Sequence, residues 1–296
     1  MNISLKQLKV FVGITQHSTL TAASESLFLS KAAVSMALSE LEKQLGHPLF
    51  DRVNNRLLLN QEGQKLLPLA DELLNRANTI DNLFLDNAPA SGTLKIGASD
   101  TIGNHVLPAL LSNFRAQQQH YSQQILISNS TLICQKLIDY ELDIALIEGQ
   151  AHQSDLVSNV FSHDAMCIIA PINHPLAAKK QLSFNDFNSS QWVLRETGSG
   201  SRSFFLHSLA PQIKNWTQSV ELNTTEALIN CVANGLGLGC LSSLAAQYAL
   251  KDGRVKQLNL NHSMQRQFWL VMHKDKYKNP LLKQFIEFCH KRNLLK

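Results

Sequence analysis

Apolar residues at helical spacing open the chain, and Leu5, Leu8, Phe11 and Val12 share one face of a first helix. A short second helix follows over about Leu20–Leu27, where Ala22 and Ala23 permit tight helix packing. After Ser30, a plausible N-cap, Val34, Ala37, Leu38, Leu41 and Leu45 recur at three- and four-residue steps and predict a third helix. Its opposite face carries Ala32, Ser35, Met36 and Ser39, where a solvated helix more usually carries Lys and Glu. Small side chains permit close approach to base edges, so residues 19–45 predict a helix-turn-helix whose second helix enters a DNA major groove. An ordinary αα-hairpin is the plain alternative. Against it stands Pro48-Leu49-Phe50-Asp51-Arg52, with Asn54-Asn55-Arg56 and Leu57-Leu58-Leu59 after it. That pattern predicts a two-stranded wing with a polar tip, where Arg52 and Arg56 reach phosphates or the minor groove.

The pattern changes over about 61–84. Leu66, Ala70, Leu73, Ala77, Ile80 and Phe84 recur at steps of 4, 3, 4, 3 and 4, the a/d spacing of a coiled coil. This predicts a linker helix that pairs two subunits, kinked at or beginning near Pro68. Asp86 to Gly92 read as a hinge. Beyond it, apolar strands alternate with helices. Strands are predicted at 94–98, 124–128, 143–147, 165–170, 192–195, 219–222, 237–241 and 268–272. Helices are predicted at 103–117, 131–140, 201–209, 225–235, 242–250 and 278–292. Such alternation predicts parallel α/β sheets in two lobes.

The first sixty-odd residues resemble the winged helix-turn-helix of the LysR-type transcriptional regulators. The resemblance rests on Leu5-Lys6-Gln7-Leu8 with Phe11, Ala22-Ala23 with Leu27, and Ser30 through Ala33-Val34-Ser35. Leu41-Glu42, Leu45-Gly46, Pro48-Leu49-Phe50 with Arg52, and Gly63 complete it, and the length and layout of the rest fit as well. It implies an α/β chain with an all-α winged helix-turn-helix head, a long linker helix and two Rossmann-like lobes resembling periplasmic binding proteins. The expected division is a DNA-binding domain at 1–60, a dimerisation helix at 61–88 and an effector-binding domain at 89–296. Within the last, lobe I takes 89–162 and 268–296, and lobe II takes 163–267. Double-stranded DNA, a small-molecule effector and a second copy of the chain are the implied partners. Family habit extends the dimer to a tetramer.

The DNA contacts expected are Ser30, Lys31, Ala32, Ser35 and Met36 on the recognition helix, with Arg52, Asn54 and Arg56 on the wing. Family members often carry Gln where Lys31 stands, and a polar or basic residue where Met36 stands. Lys31 favours phosphate or guanine, and Met36 offers apolar contact, as with a thymine methyl.

In open α/β sheets, ligands sit at strand C-termini against helix N-termini. There the chain places Ser99, Asp100, Thr101, Ser130, Thr131 and Glu148 in lobe I. Lobe II supplies Glu196, Thr197, Gly200, Ser201, Arg202, Thr224 and Thr225. Each hydroxyl alone reads as an N-cap; together they suit a small anion. Thr101 to Asn104 and Arg195 to Arg202 resemble the sulfur-metabolism, sulfite-responsive branch, which implies an oxyanion effector such as sulfite or sulfate. Asp100 and Glu148 fit an anion poorly, so they either point away or meet a ligand that carries a donor. Closure of the lobes on the effector would then move the DNA-binding heads.

Charge adds little: the net formal charge of the 296-residue chain is +4. In residues 1–60, Lys6, Lys9, Lys31, Lys43, Arg52 and Arg56 against Glu25, Glu40, Glu42 and Asp51 leave +2. The five cysteines, at 134, 167, 231, 240 and 289, show no CxxC, and no histidine spacing suits a metal. A redox-sensing regulator is the sharper alternative; buried thiols are the plainer one. No cofactor is implied. With no apolar leader and no run of about 18 apolar residues, the chain is expected to be soluble and cytoplasmic. A secreted binding protein lacks its leader, and an α/β enzyme lacks a nucleophile elbow, a P-loop or a clear dinucleotide fingerprint; Gly235 to Gly239 is a weak lookalike.

Overall fold

The computed structural model describes residues 3–54, 56–81 and 92–291. Three helices open it: α1 (Leu5–His17), α2 (Leu20–Ser26) and α3 (Lys31–Leu45). Ser4, Thr19 and Ser30 cap them, each hydroxyl accepting a backbone N–H of the first turn. Leu8, Phe11, Ile14, Ala23, Val34, Leu38 and Leu41 close the head's core. The wing is β1 (Phe50–Val53) antiparallel to β2 (Arg56–Leu59), and Leu57 N donates to Ser18 O at 2.8 Å, which ties it to the α1–α2 turn.

The linker helix α4 (Gln61–Asp81) runs unbroken through Pro68. No side chain would fit at Gly63, where the Leu49 carbonyl crosses the helix start. The expected dimer seam is divided. Leu66, Leu67, Ala70 and Leu74 pack into the head's own core, so Leu66 and Ala70 are not free to pair with another subunit. Leu69, Leu73 and Ile80 form a separate outer stripe, 59%, 50% and 62% exposed. Helical apolar spacing does not say which neighbour a stripe meets. Phe84 and the start of the expected hinge lie outside the described residues.

Lobe I contains β3 (Leu94–Ser99), α5 (Asp100–His105), α6 (Leu107–Gln118), β4 (Gln123–Ser128), α7 (Ser130–Ile138) and β5 (Ile144–Glu148). The long strand β6 (Leu156–Ala170) then passes between lobes. Lobe II contains β7 (Gln191–Arg195), α8 (Gly200–Phe204), β8 (Thr217–Leu222), α9 (Thr225–Ala233), β9 (Leu238–Ser242), α10 (Ser243–Lys251) and β10 (Lys256–Leu258). A π turn over Phe205–Leu209 extends α8. The return strand β11 (Gln265–His273) leads to α11 (Pro280–Lys291).

The sheet order is β4-β3-β5-β11-β6-β9-β7-β8, with β10 on β6. It is mixed, not parallel. β11 lies antiparallel to β5 and to the first half of β6, and β9 and β10 lie antiparallel to its second half. Strands that carry the chain out and back between lobes must run oppositely. The Phe114–Phe285–Phe288 cluster fills the core of lobe I, and Phe187, Trp192 and Phe205 that of lobe II.

Lobe I is clasped to the linker and the head by a buried ion pair network. Lys276 Nζ lies 3.0 Å from Asp71 of α4 and 2.9 Å from Asp143. Burial alone would favour the neutral amine, but Asp143 and Asp71 hold Lys276 charged and its pKa above the usual value. Tyr140, just after α7, joins the head's core and bonds His273 Nδ1 at 2.8 Å. Arg76 stacks over Tyr277 at 4.5 Å, and Asn279 bonds Asn75 at 3.1 Å. Removing one partner of a buried pair leaves the others uncompensated. Lys276→Ala is therefore expected to lose about 3–5 kcal/mol of stability in urea unfolding followed by circular dichroism; an unchanged midpoint would contradict a buried clasp.

Candidate DNA interface and effector cavity

On α3, Val34, Leu38 and Leu41 face the core, which turns Lys31, Ala32 and Met36 to solvent and leaves Ser35 half-exposed. Ser30 Oγ is engaged as the cap, accepting from Ala33 N at 3.2 Å. In the wing, Arg52 pairs in register with Leu57 and Val53 with Arg56, so both arginines lie beside the tip. Asn54 takes the positive φ of 49° that the tight turn needs. Lys31, Arg52, Asn54 and Arg56 thus converge on one cleft of about 850 Å³, which Thr19 and Thr21 at the start of α2 also line. Among the described residues, three cations, hydroxyl donors and no carboxylate line it, a chemistry suited to a phosphate backbone. Sequence reasoning missed Thr19 and Thr21, because a cap and a first-turn hydroxyl look the same in any helix. Ser30, Ala32, Ser35 and Met36 stand outside this cleft, along the exposed side of α3.

The residues expected around an effector separate into two sets. The first is the seam between the lobes, which is closed by the protein's own charges. Arg266 of β11 bonds Glu148 Oε2 at 2.9 Å and Asp164 Oδ2 at 2.7 Å. It also reaches Thr101 Oγ1 and Ser201 Oγ, each at 3.3 Å. Glu148 Oε1 accepts the Thr101 N–H at 2.9 Å. Burial raises the pKa of Glu148, but Arg266 and the two Thr101 bonds outweigh it and hold the carboxylate below its usual value.

Arg195 makes the second cross-lobe link, to Asp100 Oδ2 at 3.0 Å, to Thr225 Oγ1 at 2.8 Å and to Glu196 Oε2 at 2.9 Å. Thr225 also bonds Asp100, and Asn129 bonds Glu196 at 3.2 Å. Asp100 and Glu148 therefore neither point away nor wait for a donor from a ligand. Arg195, which opens the 195–202 stretch noted in the sequence, and Arg266, which was not singled out there, already satisfy them. Ser99 is buried with its hydroxyl unpartnered among the described residues, and exposed Thr224 caps α9.

The second set lines an open cavity of about 510 Å³ beside the seam. Ser130, Thr131, Glu148, Thr197, Gly200 and Arg202 reach it. Ser199, of the 195–202 stretch, lines it too, as do Cys134, His152 and His207, which were not read as site residues in the sequence. Asn129 holds the start of α7 there by accepting Leu132 N at 3.0 Å, and Ser199 stands at the N-cap position of α8. Gly198 is needed at φ 93° because a Cβ would press on Thr131. Arg202 is held in place by Glu221 at 2.8 Å and by the Arg195 carbonyl at 2.7 Å.

The placement of the cysteines does not favour a redox sensor. Cys167 and Cys240 sit on adjacent strands but face opposite sides of the sheet, packed in different cores. Burial pushes the thiols of Cys134 and Cys167 up to about 11 and that of Cys289 to about 12, which suppresses the reactive thiolate. Among the described residues no cluster suits a metal, and no helix is long and apolar enough to cross a membrane.

Comparison with known proteins agrees with this architecture. Residues 5–64 match the bacterial regulatory helix-turn-helix protein, lysR family, and residues 87–293 match the LysR substrate binding domain. The uncharacterized HTH-type transcriptional regulator YeiE of Escherichia coli K12 is 34% identical over 295 residues, 99% of each chain. A full-length OxyR variant from Pseudomonas aeruginosa superposes with a TM-score of 0.77 at 20% identity, over 99% of this chain and 97% of that one. The effector binding domain of QuiR in complex with shikimate shares the fold at 20% identity, with a TM-score of 0.62 over 68% of this chain and 96% of that one.

Two outcomes follow from this geometry. Arg52→Ala is expected to weaken duplex binding uniformly across sequences. It should lower the slope of log K against log salt by about 0.9, the value of one phosphate contact. An unchanged slope, read by fluorescence anisotropy, would remove Arg52 from the interface. In native-state alkylation, Cys134, Cys167, Cys240 and Cys289 are expected to react far more slowly than half-exposed Cys231; fast labelling of any of the four would reopen the redox reading.

Proposed function

The chain belongs to the LysR family of ligand-responsive, DNA-binding transcriptional regulators, and from that premise we propose that its effector is a small oxyanion-bearing molecule held in the cavity between the lobes. The observation that carries this is the charge of the lining. Arg202, anchored by Glu221, faces the cavity with His152 and His207, and Glu148, the acidic group among the lining residues described, is already neutralised by Arg266. An arriving anion meets donors and no free carboxylate. Ser130, Thr131 and Thr197 supply hydroxyls around it. A volume of about 510 Å³ lies within the range of small-molecule clefts, roughly 300–1,000 Å³. Sulfite and sulfate are the first candidates. A larger metabolite with one oxyanion group would use the same donors and fill more of the space.

On DNA, two heads read two half-sites, which requires a fixed spacing. The outer stripe of α4, Leu69, Leu73 and Ile80, is the surface we assign to subunit pairing, continuing to a tetramer through the effector domains. Ser30, Lys31, Ala32, Ser35 and Met36 lie in the groove, with Arg52, Asn54 and Arg56 on the flanking backbone.

A thermal-shift titration with sulfite, sulfate and small carboxylates tests the effector. A ligand at about 100 times its Kd adds about 2.7 kcal/mol, so a rise of several degrees is expected for at least one oxyanion. Arg202→Ala and Thr131→Val should each abolish most of it. A shift that survives both substitutions would place the site elsewhere, and no shift with any anion would sink the oxyanion reading.

A further inference from the structure

The turn between α2 and α3 holds a residue that the fold itself does not use. Phe28 is 95% exposed, the most exposed of the large apolar side chains among the described residues. Its φ is 54°, in the left-handed region. Two backbone bonds impose this: Phe28 N donates to Glu25 O at 3.2 Å and Leu29 N donates to Ser24 O at 2.9 Å, the pattern that ends a helix with a left-handed residue. Glycine is the usual occupant of such a position, because a Cβ is strained there. A bulky aromatic is a genuine outlier. Here, then, the chain accepts backbone strain and an exposed ring together, and gains no packing from either. Strain of this kind that the monomer does not repay points to a function at the surface.

The position of the turn supplies the occupant. Ser30, two residues later, caps the recognition helix, and Lys31 begins it. When the start of α3 enters the major groove, this turn enters at the groove edge. Further along α3, Met36 is 70% exposed. Both are apolar where phosphate-binding side chains would be charged. The major groove offers one apolar group to such side chains, the C5 methyl of thymine, next to deoxyribose edges.

We propose that Phe28 is a specificity-determining DNA contact, its ring packing on a thymine methyl and the adjoining sugar at the margin of each half-site. The contact is apolar, so it adds preference for thymine without adding to the salt dependence. A neighbouring subunit's surface is the other occupant such a ring could have.

Phe28→Gly separates these. A duplex is first selected by the wild-type protein from a randomised pool, then bound to the full-length variant in an anisotropy titration. Three results are expected. The melting temperature stays equal or rises, because glycine relieves the strain. Affinity for the selected duplex falls about tenfold or more per head, the equivalent of losing a buried aromatic contact. The salt slope stays unchanged, in contrast to Arg52→Ala. Repeating the selection with the variant should lose thymine at the half-site margin. Unaltered affinity and selection would overturn the proposal, and so would an effect traced in sedimentation to a change of oligomeric state. Phe28→Leu, which keeps an apolar contact, should retain most of the thymine preference; complete loss with Leu would also count against it.

Discussion

One buried guanidinium governs what the effector domain can be. Arg266 lies at the start of the strand that returns from lobe II, and it neutralises Glu148 of lobe I and Asp164 of the crossing strand together. A carboxylate buried without a cation would be protonated or would open the structure. With Arg266 in place, the lobes meet as a closed, hydrogen-bonded surface, completed by Thr101, Ser201 and Ser242. The seam therefore does not wait for a ligand to close it. What remains open is the cavity alongside: its acid, Glu148, is paired with Arg266, and Arg202, itself anchored by Glu221, lines it together with two histidines.

The same closure gives the cavity a direct structural path to the head. Helix α7 begins at the cavity with Ser130 and Thr131 and ends at Ile138. Tyr140, two residues on, is part of the head's core and bonds His273. Lys276 lies over the Tyr140 ring at 5.3 Å while it pairs with Asp71 of the linker helix. A displacement of α7 by a ligand at its first turn thus reaches the linker and the DNA-binding head through contacts that are buried and ionic, which do not slide without cost.

The helices of the head were legible because each buries one stripe and exposes another, and the wing because its turn residues sit between apolar runs. The lobes were legible as alternating strands and helices, but not as a mixed sheet. The first half of β6 reads Ser158-Asn159 and later Ser162-His163-Asp164, polar residues that a strand search passes over; pairing with β11 makes it a strand. Orientation was equally hidden, since apolar runs do not tell a parallel strand from a returning one. Spacing could not divide the apolar stripe of α4, because Ala70 and Leu73 recur alike whatever neighbour they face, and only the fold shows Ala70 packed into its own head. The cross-lobe ion pairs join residues far apart in the chain, and a lone Arg in an alternating strand gives no sign that two acids need it. Hydroxyls at strand ends did lead to one wall of the cavity at Ser130 and Thr131, whereas Ser99, Thr101 and Ser201 lie buried in the seam.

The central claim is that occupancy of the lobe cavity and affinity for DNA are one coupled equilibrium. Its most direct measurement is the Kd of the full-length protein for its selected duplex with and without saturating effector, paired with the effector Kd measured with and without saturating duplex. Linkage requires the two ratios to agree. The account predicts equal ratios of about 5–150-fold, the usual range of an allosteric coupling. A ratio of one in both titrations, with both ligands bound, would show that the cavity and the head do not communicate.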